Sequence, residues 1–234
     1  MSIDPARRFR IPNSILSSCY DASVIITVIL ASIMAGAVFS LLLAIRVGDR
    51  PLEVFSKSAA SVAFVALGFA RWSAGDPVDT WMIAALTLCA VGDFCLLWDR
   101  SFDVGLIAFL LGHVAYVAGF TLALPIGGWP LLTLVPLVAA GAFASRWLWP
   151  HLGSKRMPIV IYLIVISIMV WGGLSTFLRG VLPWTAAVGA VLFYLSDLAV
   201  ARHRFVRESF LNRAIGLPVY FSGQILLAMT VGAG

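Results

Sequence analysis

Runs of about twenty apolar residues recur along the whole chain, each long enough to cross a hydrocarbon core of roughly 30 Å as a helix. In lipid every backbone N–H and C=O needs a partner inside the protein, which leaves helices or a closed barrel. The alternating pattern of barrel strands is absent, so the expected fold class is all-α: a polytopic membrane protein, a bundle of eight transmembrane helices. The spans are expected at roughly 23–45, 57–72, 79–98, 102–123, 129–147, 157–177, 181–201 and 212–231. Turn-forming stretches punctuate them: Gly48 to Pro51, Gly75 to Pro77, Asp99 to Ser101, Pro125 to Pro130, Pro150 to Pro158 and Arg202 to Arg213. Composition agrees, because 61% of the 234 residues are hydrophobic and only 12% charged, outside the range of soluble domains.

A net charge of +5 would raise the question of nucleic acid in a soluble protein. Here the basic residues lie between the apolar runs, where lipid headgroups and topology account for them, so membrane lipids are the expected partners and nucleic acid is not. Residues 1–22, with Arg7, Arg8 and Arg10, read as an N-terminal extramembrane segment ahead of an uncleaved first span, and 23–234 as a single eight-span domain. Most of the sixteen basic residues fall in the loops after the first, third, fifth and seventh spans. That distribution puts those loops in the cytoplasm and both termini outside, in the inner membrane if the cell is bacterial. Cys19, Cys89 and Cys95 form no CxxC pair, which argues against a disulfide framework or a zinc knuckle.

Of the eleven acidic residues, Asp93 and Asp197 are expected inside spans and the others in termini, in loops or at span edges. An intramembrane acid costs about 2.5 to 3.5 kcal/mol on insertion scales, so something must offset it. Each stands about five residues before the end of its span, some 7 to 8 Å beneath the same membrane face at about 1.5 Å per residue. Two carboxylates sharing an apolar pocket hold a proton between them, a general acid and base that needs neither metal nor cofactor. The alternative gives each acid its own partner: Lys57 or Arg100 for Asp93, and Arg202, Arg204 or Tyr116 for Asp197. Spacing alone does not choose between these.

Other polar residues in the spans have two readings each. His113, near mid-membrane with Tyr116 three residues on, is either hydrogen-bonded locally or part of a catalytic wall. Tyr220 and Gln224 share a helix face and serve either as interhelical glue or as a polar substrate wall. Lys57 is placed to snorkel to a phosphate. Tyr194 and Ser196, beside Asp197, complete the candidate substrate-binding set. A zinc site needs more ligands than His113 offers, since His151 and His203 fall in loops, so no metal is expected.

Together these motifs resemble the YhhN-like membrane proteins. The resemblance lies in Gly92-Asp93 with Leu96, Phe102, Gly105-Leu106, Phe109, His113 and Tyr116. It continues in Gly189-Ala190, Leu192-Phe193, Ser196-Asp197 and Ala199, and in Tyr220 with Gln224. Lys57 matches the family's lysine opening the second span, although Ser58 stands where proline is expected next. The resemblance implies an eight-span hydrolase that cleaves the vinyl ether bond of a lysoplasmalogen to a fatty aldehyde and a glycerophospho-alcohol. On that reading Asp93 and Asp197 are catalytic, the partner is a lysophospholipid, and no cofactor is required. A homo-oligomer is compatible with the sequence. Two rival activities use paired acids in membranes. An intramembrane aspartyl protease would show Gly-x-Gly-Asp where Ala90-Val91-Gly92-Asp93 stands, and a proton-coupled transporter would show broken helices near mid-membrane.

Overall fold

The computed structural model describes residues 13–233, with side chains from residue 23 onward. Residues 1–12 of the expected N-terminal segment, Arg7, Arg8 and Arg10 among them, lie outside the described residues. Among the described residues eight α-helices follow in order: α1 (Asn13–Val47), α2 (Arg50–Arg71), α3 (Pro77–Cys95), α4 (Phe102–Ala123), α5 (Leu134–Leu148), α6 (Arg156–Leu178), α7 (Trp184–Ala201) and α8 (Phe210–Thr230). Seven of the helical segments are long and apolar enough to cross a membrane. The remaining helix, α8, has 21 residues but carries Asn212, Arg213, Pro218 and Gln224. The protein is an integral, multi-pass membrane protein.

Helix ends follow local chemistry. Asp49 caps α2 by accepting from the Leu52 N–H at 3.0 Å, with Pro51 in the first turn, where its missing N–H costs nothing. That start is seven residues earlier than the sequence reading placed it. The Gly48-Asp49-Arg50-Pro51 stretch, read as a loop, is a helix entry. The shift matters because it threads Arg50, Glu53, Lys57 and Ser61 along one helical stripe. Asp76 and Pro77 open α3 in the same way. Ser209 caps α8 by accepting from the Asn212 N–H.

Six helices close a ring in the order α2, α3, α4, α6, α7, α8 and back to α2. Outside the ring α1 packs on α2 and α8, and α5 packs on α6. Where α7 meets α8, a Cβ on Gly189 would stand 3.0 Å from the Gly223 carbonyl oxygen and 2.8 Å from Leu227 Cγ. Only the bare glycine permits that approach, as in other close membrane helix pairs. Aromatic side chains fill the ring's middle: Phe193 of α7 stacks obliquely on His113 with centroids 4.4 Å apart and meets Tyr220 edge-on at 5.4 Å.

The opposite end of the ring is latched by Asp79, which is only 1% exposed although the sequence placed it at a span edge. Its carboxylate accepts the Ser73 N–H at 2.9 Å and the Gly232 N–H at 2.8 Å, while Arg71 Nε donates to the Val231 carbonyl at 3.1 Å. The chain after α8 is thereby tied to the α2–α3 turn. Asp79→Ala strands two amide donors, at about 1 to 3 kcal/mol for each group left unsatisfied. Thermal unfolding in detergent is expected to fall by several degrees; an unchanged midpoint would show that water replaces the latch.

Candidate active site

Two acid clusters tie the ring together. Asp93 stands in the last turn of α3, which ends at Cys95, closer to the helix end than the sequence reading put it. One carboxylate oxygen, Oδ2, accepts from Ser61 Oγ of α2 at 2.8 Å and from Tyr220 Oη of α8 at 2.7 Å. The other, Oδ1, lies 3.4 Å from the Lys57 ammonium. Lys57 is 7% and Asp93 3% exposed, so this is a buried ion pair with hydroxyl donors filling the remaining acceptor sites.

The second acid is held differently. Asp197 of α7 accepts from Tyr162 Oη of α6 at 2.8 Å, and His113 Nε2 of α4 lies 3.4 Å from the same oxygen, out of line for a hydrogen bond. The other imidazole nitrogen, Nδ1, lies 2.6 Å from the Phe109 carbonyl oxygen. A carbonyl only accepts, so Nδ1 carries a proton and donates it. His113 is fully buried, and its Nε2 has no hydrogen-bond partner.

Both carboxylates line a single cavity of about 720 Å³. Its inner wall also includes Lys57, Phe109, Ser196 and Tyr220, and its mouth is rimmed by charge: Arg50, Glu53, Arg204, Arg207 and Arg213. Glu53, 7% exposed, accepts from Arg50 at 2.9 Å through one oxygen and from Arg213 through the other. Arg204 pairs with Asp99 at 2.9 Å and stacks on the Phe102 ring. Between mouth and carboxylates run two facing stripes. Arg50, Glu53, Lys57 and Ser61 descend α2, and Arg213, Gly216 and Tyr220 descend α8. At about 1.5 Å of rise per residue, Ser61 is roughly 12 Å deeper than Glu53.

The other expected site residues lie behind this wall. Tyr116 Oη donates to Gln224 Oε1 at 3.0 Å, both fully buried and outside the lining, so this pair joins α4 to α8. Tyr194 is buried and outside the lining. Of the partners weighed for Asp93, Lys57 is present and Arg100 is not. Those weighed for Asp197, namely Arg202, Arg204 and Tyr116, are engaged with Asn212, Asp99 and Gln224 respectively. The real partner, Tyr162, went unnoticed because a single tyrosine in an apolar run carries no signal. Arg50, Glu53, Ser61 and Arg213 also escaped, although the first three are readable as a helical stripe once α2 starts at Asp49. Among the described residues, no three His, Cys, Asp or Glu side chains cluster as a metal site.

The YhhN family profile matches residues 52–231. The chain belongs to the YhhN family. Among curated relatives, the lysoplasmalogenase of Mycobacterium bovis is 36% identical over 151 residues, covering 61% of this chain and 55% of the relative. The lysoplasmalogenase TMEM86B of Rattus norvegicus is 32% identical over 152 residues, covering 64% of this chain and 61% of its own. The human TMEM86B is 31% identical over 146 residues, covering 62% and 61%. The match thus spans less than two thirds of each of these relatives. No solved structure matches the chain. The YhhN match takes in both acid clusters and stops short of Arg50, the first residue of α2.

The buried pair gives a prediction of its own. Lys57→Met leaves Asp93 without its cation, at about 3 kcal/mol or more for a buried charge stripped of its partner. The double change Lys57→Met with Asp93→Asn removes both charges and is expected to recover most of the lost thermal stability. A double variant as unstable as Lys57→Met alone would show that Lys57 acts by packing.

Proposed function

We propose that this YhhN protein is an intramembrane hydrolase that cleaves the vinyl ether bond of lysoplasmalogen, or of a closely related lysophospholipid. The observation that carries the reading is the single cavity bordered by two unlike carboxylates, one ringed by donors and one adjoining an imidazole, beneath a basic mouth. The relatives named lysoplasmalogenase support the substrate class.

In the proposed reaction the His113–Asp197 pair is the acid. Asp197 delivers a proton to the alkenyl carbon distal to the ether oxygen, and the double-bond electrons shift to give an oxocarbenium ion. Asp93, with Lys57, Ser61 and Tyr220 holding it as a carboxylate, stabilises that cation and takes a proton from the attacking water. The resulting hemiacetal collapses when Asp93 returns the proton to the ether oxygen and Asp197 recovers one from the hemiacetal hydroxyl. One water is consumed, a fatty aldehyde and a glycerophospho-alcohol leave, and both acids return to their starting states. His113 shares the proton with Asp197, and Tyr162 orients the carboxyl.

The mouth suits the headgroup. Glu53 clasps Arg50 and Arg213, fixing two guanidinium groups whose remaining N–H donors fit a phosphate. The three glycerol carbons then lie between that phosphate and the vinyl ether.

Purified protein given lysoplasmalogen in detergent is expected to release aldehyde. Asp93→Asn and Asp197→Asn should each lower kcat by about 10²-fold or more, the range for a lost general acid or base. Arg213→Ala should raise KM for lysoplasmalogen while leaving a phosphate-free glyceryl vinyl ether unaffected. No aldehyde from the wild type, or full activity in either Asn variant, would overturn the reading.

A further inference from the structure

Asp93 borders two openings. Besides the basic cavity, it lies at the inner end of a small cleft of about 140 Å³ between α2 and α3. Lys57, Asp93 and Leu97 line both spaces, so the two share a wall that includes the carboxylate's residue. The buried residues Lys57, Ser61 and Asp93 are part of the cleft's lining. Its flanks are Val62 and Phe94, which are 65% and 55% exposed, with Ala90 between helices. Both helices are among the membrane-spanning segments, so exposed apolar side chains there face hydrocarbon. The cleft is therefore a notch in the lipid-facing side of the ring.

We propose that this α2–α3 notch is the subsite for the hydrocarbon chain of the substrate. The inference rests on the lysophospholipid reading above and specifies how the lipid lies. A single-chain ether lipid is polar at one end and apolar at the other, with the reacting bond between. The site has the same order, with arginines at the mouth, carboxylates in the middle and an apolar opening to lipid beyond. With the headgroup at the Glu53 clasp and the vinyl ether in the cavity between Asp93 and Asp197, the chain leaves past Asp93, out between Val62 and Phe94. The chain stays in hydrocarbon throughout and does not cross the polar cavity. The arrangement also disfavours a diacyl lipid, because the notch between two adjacent helices admits one chain.

Ser58 of α2 and Ala90 of α3 both line the notch and are small, so Ser58→Phe and Ala90→Phe narrow it. Each is expected to lower kcat/KM for a long-chain lysoplasmalogen by about tenfold, as losing burial of two or so methylenes would do, and to change a short-chain analogue by less than about twofold. In parallel, a non-cleavable alkyl ether lysophospholipid with a diazirine a few carbons from the ether is photolysed on the wild-type protein. Labelling is expected on α2 and α3 around Val62 and Phe94. Equal losses for long and short chains, or labels confined to α6, α7 or the cavity mouth, would overturn the proposal. Wild-type protein that releases aldehyde from neither chain length contradicts the hydrolase reading instead, and the photolabel then decides the notch by itself.

Discussion

A charged carboxylate facing the interior of a membrane bundle must be surrounded by donors, and the way this chain surrounds two of them organises the fold. Asp93 of α3 draws Lys57 and Ser61 from α2 and Tyr220 from α8. Asp197 of α7 draws Tyr162 from α6 and brings His113 from α4 within 3.4 Å. Each acid gathers three helices, and between them they account for all six members of the ring. The remaining two, α1 and α5, carry no part of either cluster and pack on the outside. Without an alternative partner in lipid, each helix that supplies a donor is held in register by the cost of leaving an acid bare.

The same constraint separates the acids chemically. Asp93 accepts from two hydroxyls and lies beside an ammonium. Asp197 accepts from one tyrosine and lies 3.4 Å from an imidazole nitrogen whose ring partner is committed to the Phe109 carbonyl. The two expectations weighed from the sequence, acids sharing a pocket and acids with private partners, are therefore not exclusive. Each carboxylate has its own donors, and one cavity touches both.

Helix number, helix type and the isolation of Asp93 and Asp197 were legible because an acid inside an apolar run stands out against its neighbours. What was not legible came from across the ring. Tyr162 is an ordinary residue until α6 lies beside α7, and Gln224 turned out to answer Tyr116 of α4 rather than to line the cavity with Tyr220. The Glu53 clasp was lost to a boundary. A Gly-Asp-Arg-Pro stretch has the composition of a turn, and the capping geometry of Asp49 is what makes it a helix start. Asp79 reads from the sequence as a span-edge acid because its partners are backbone amides, which leave no mark in a sequence.

The central chemical claim is that a proton from the His113–Asp197 side reaches carbon before water adds. Isotope incorporation during turnover of lysoplasmalogen tests this directly. In deuterated water the account predicts a single solvent deuterium on the carbon next to the aldehyde, and in oxygen-18 water a glycerophospho-alcohol free of label. Aldehyde without carbon-bound deuterium, or heavy oxygen in the glycerol product, would contradict it.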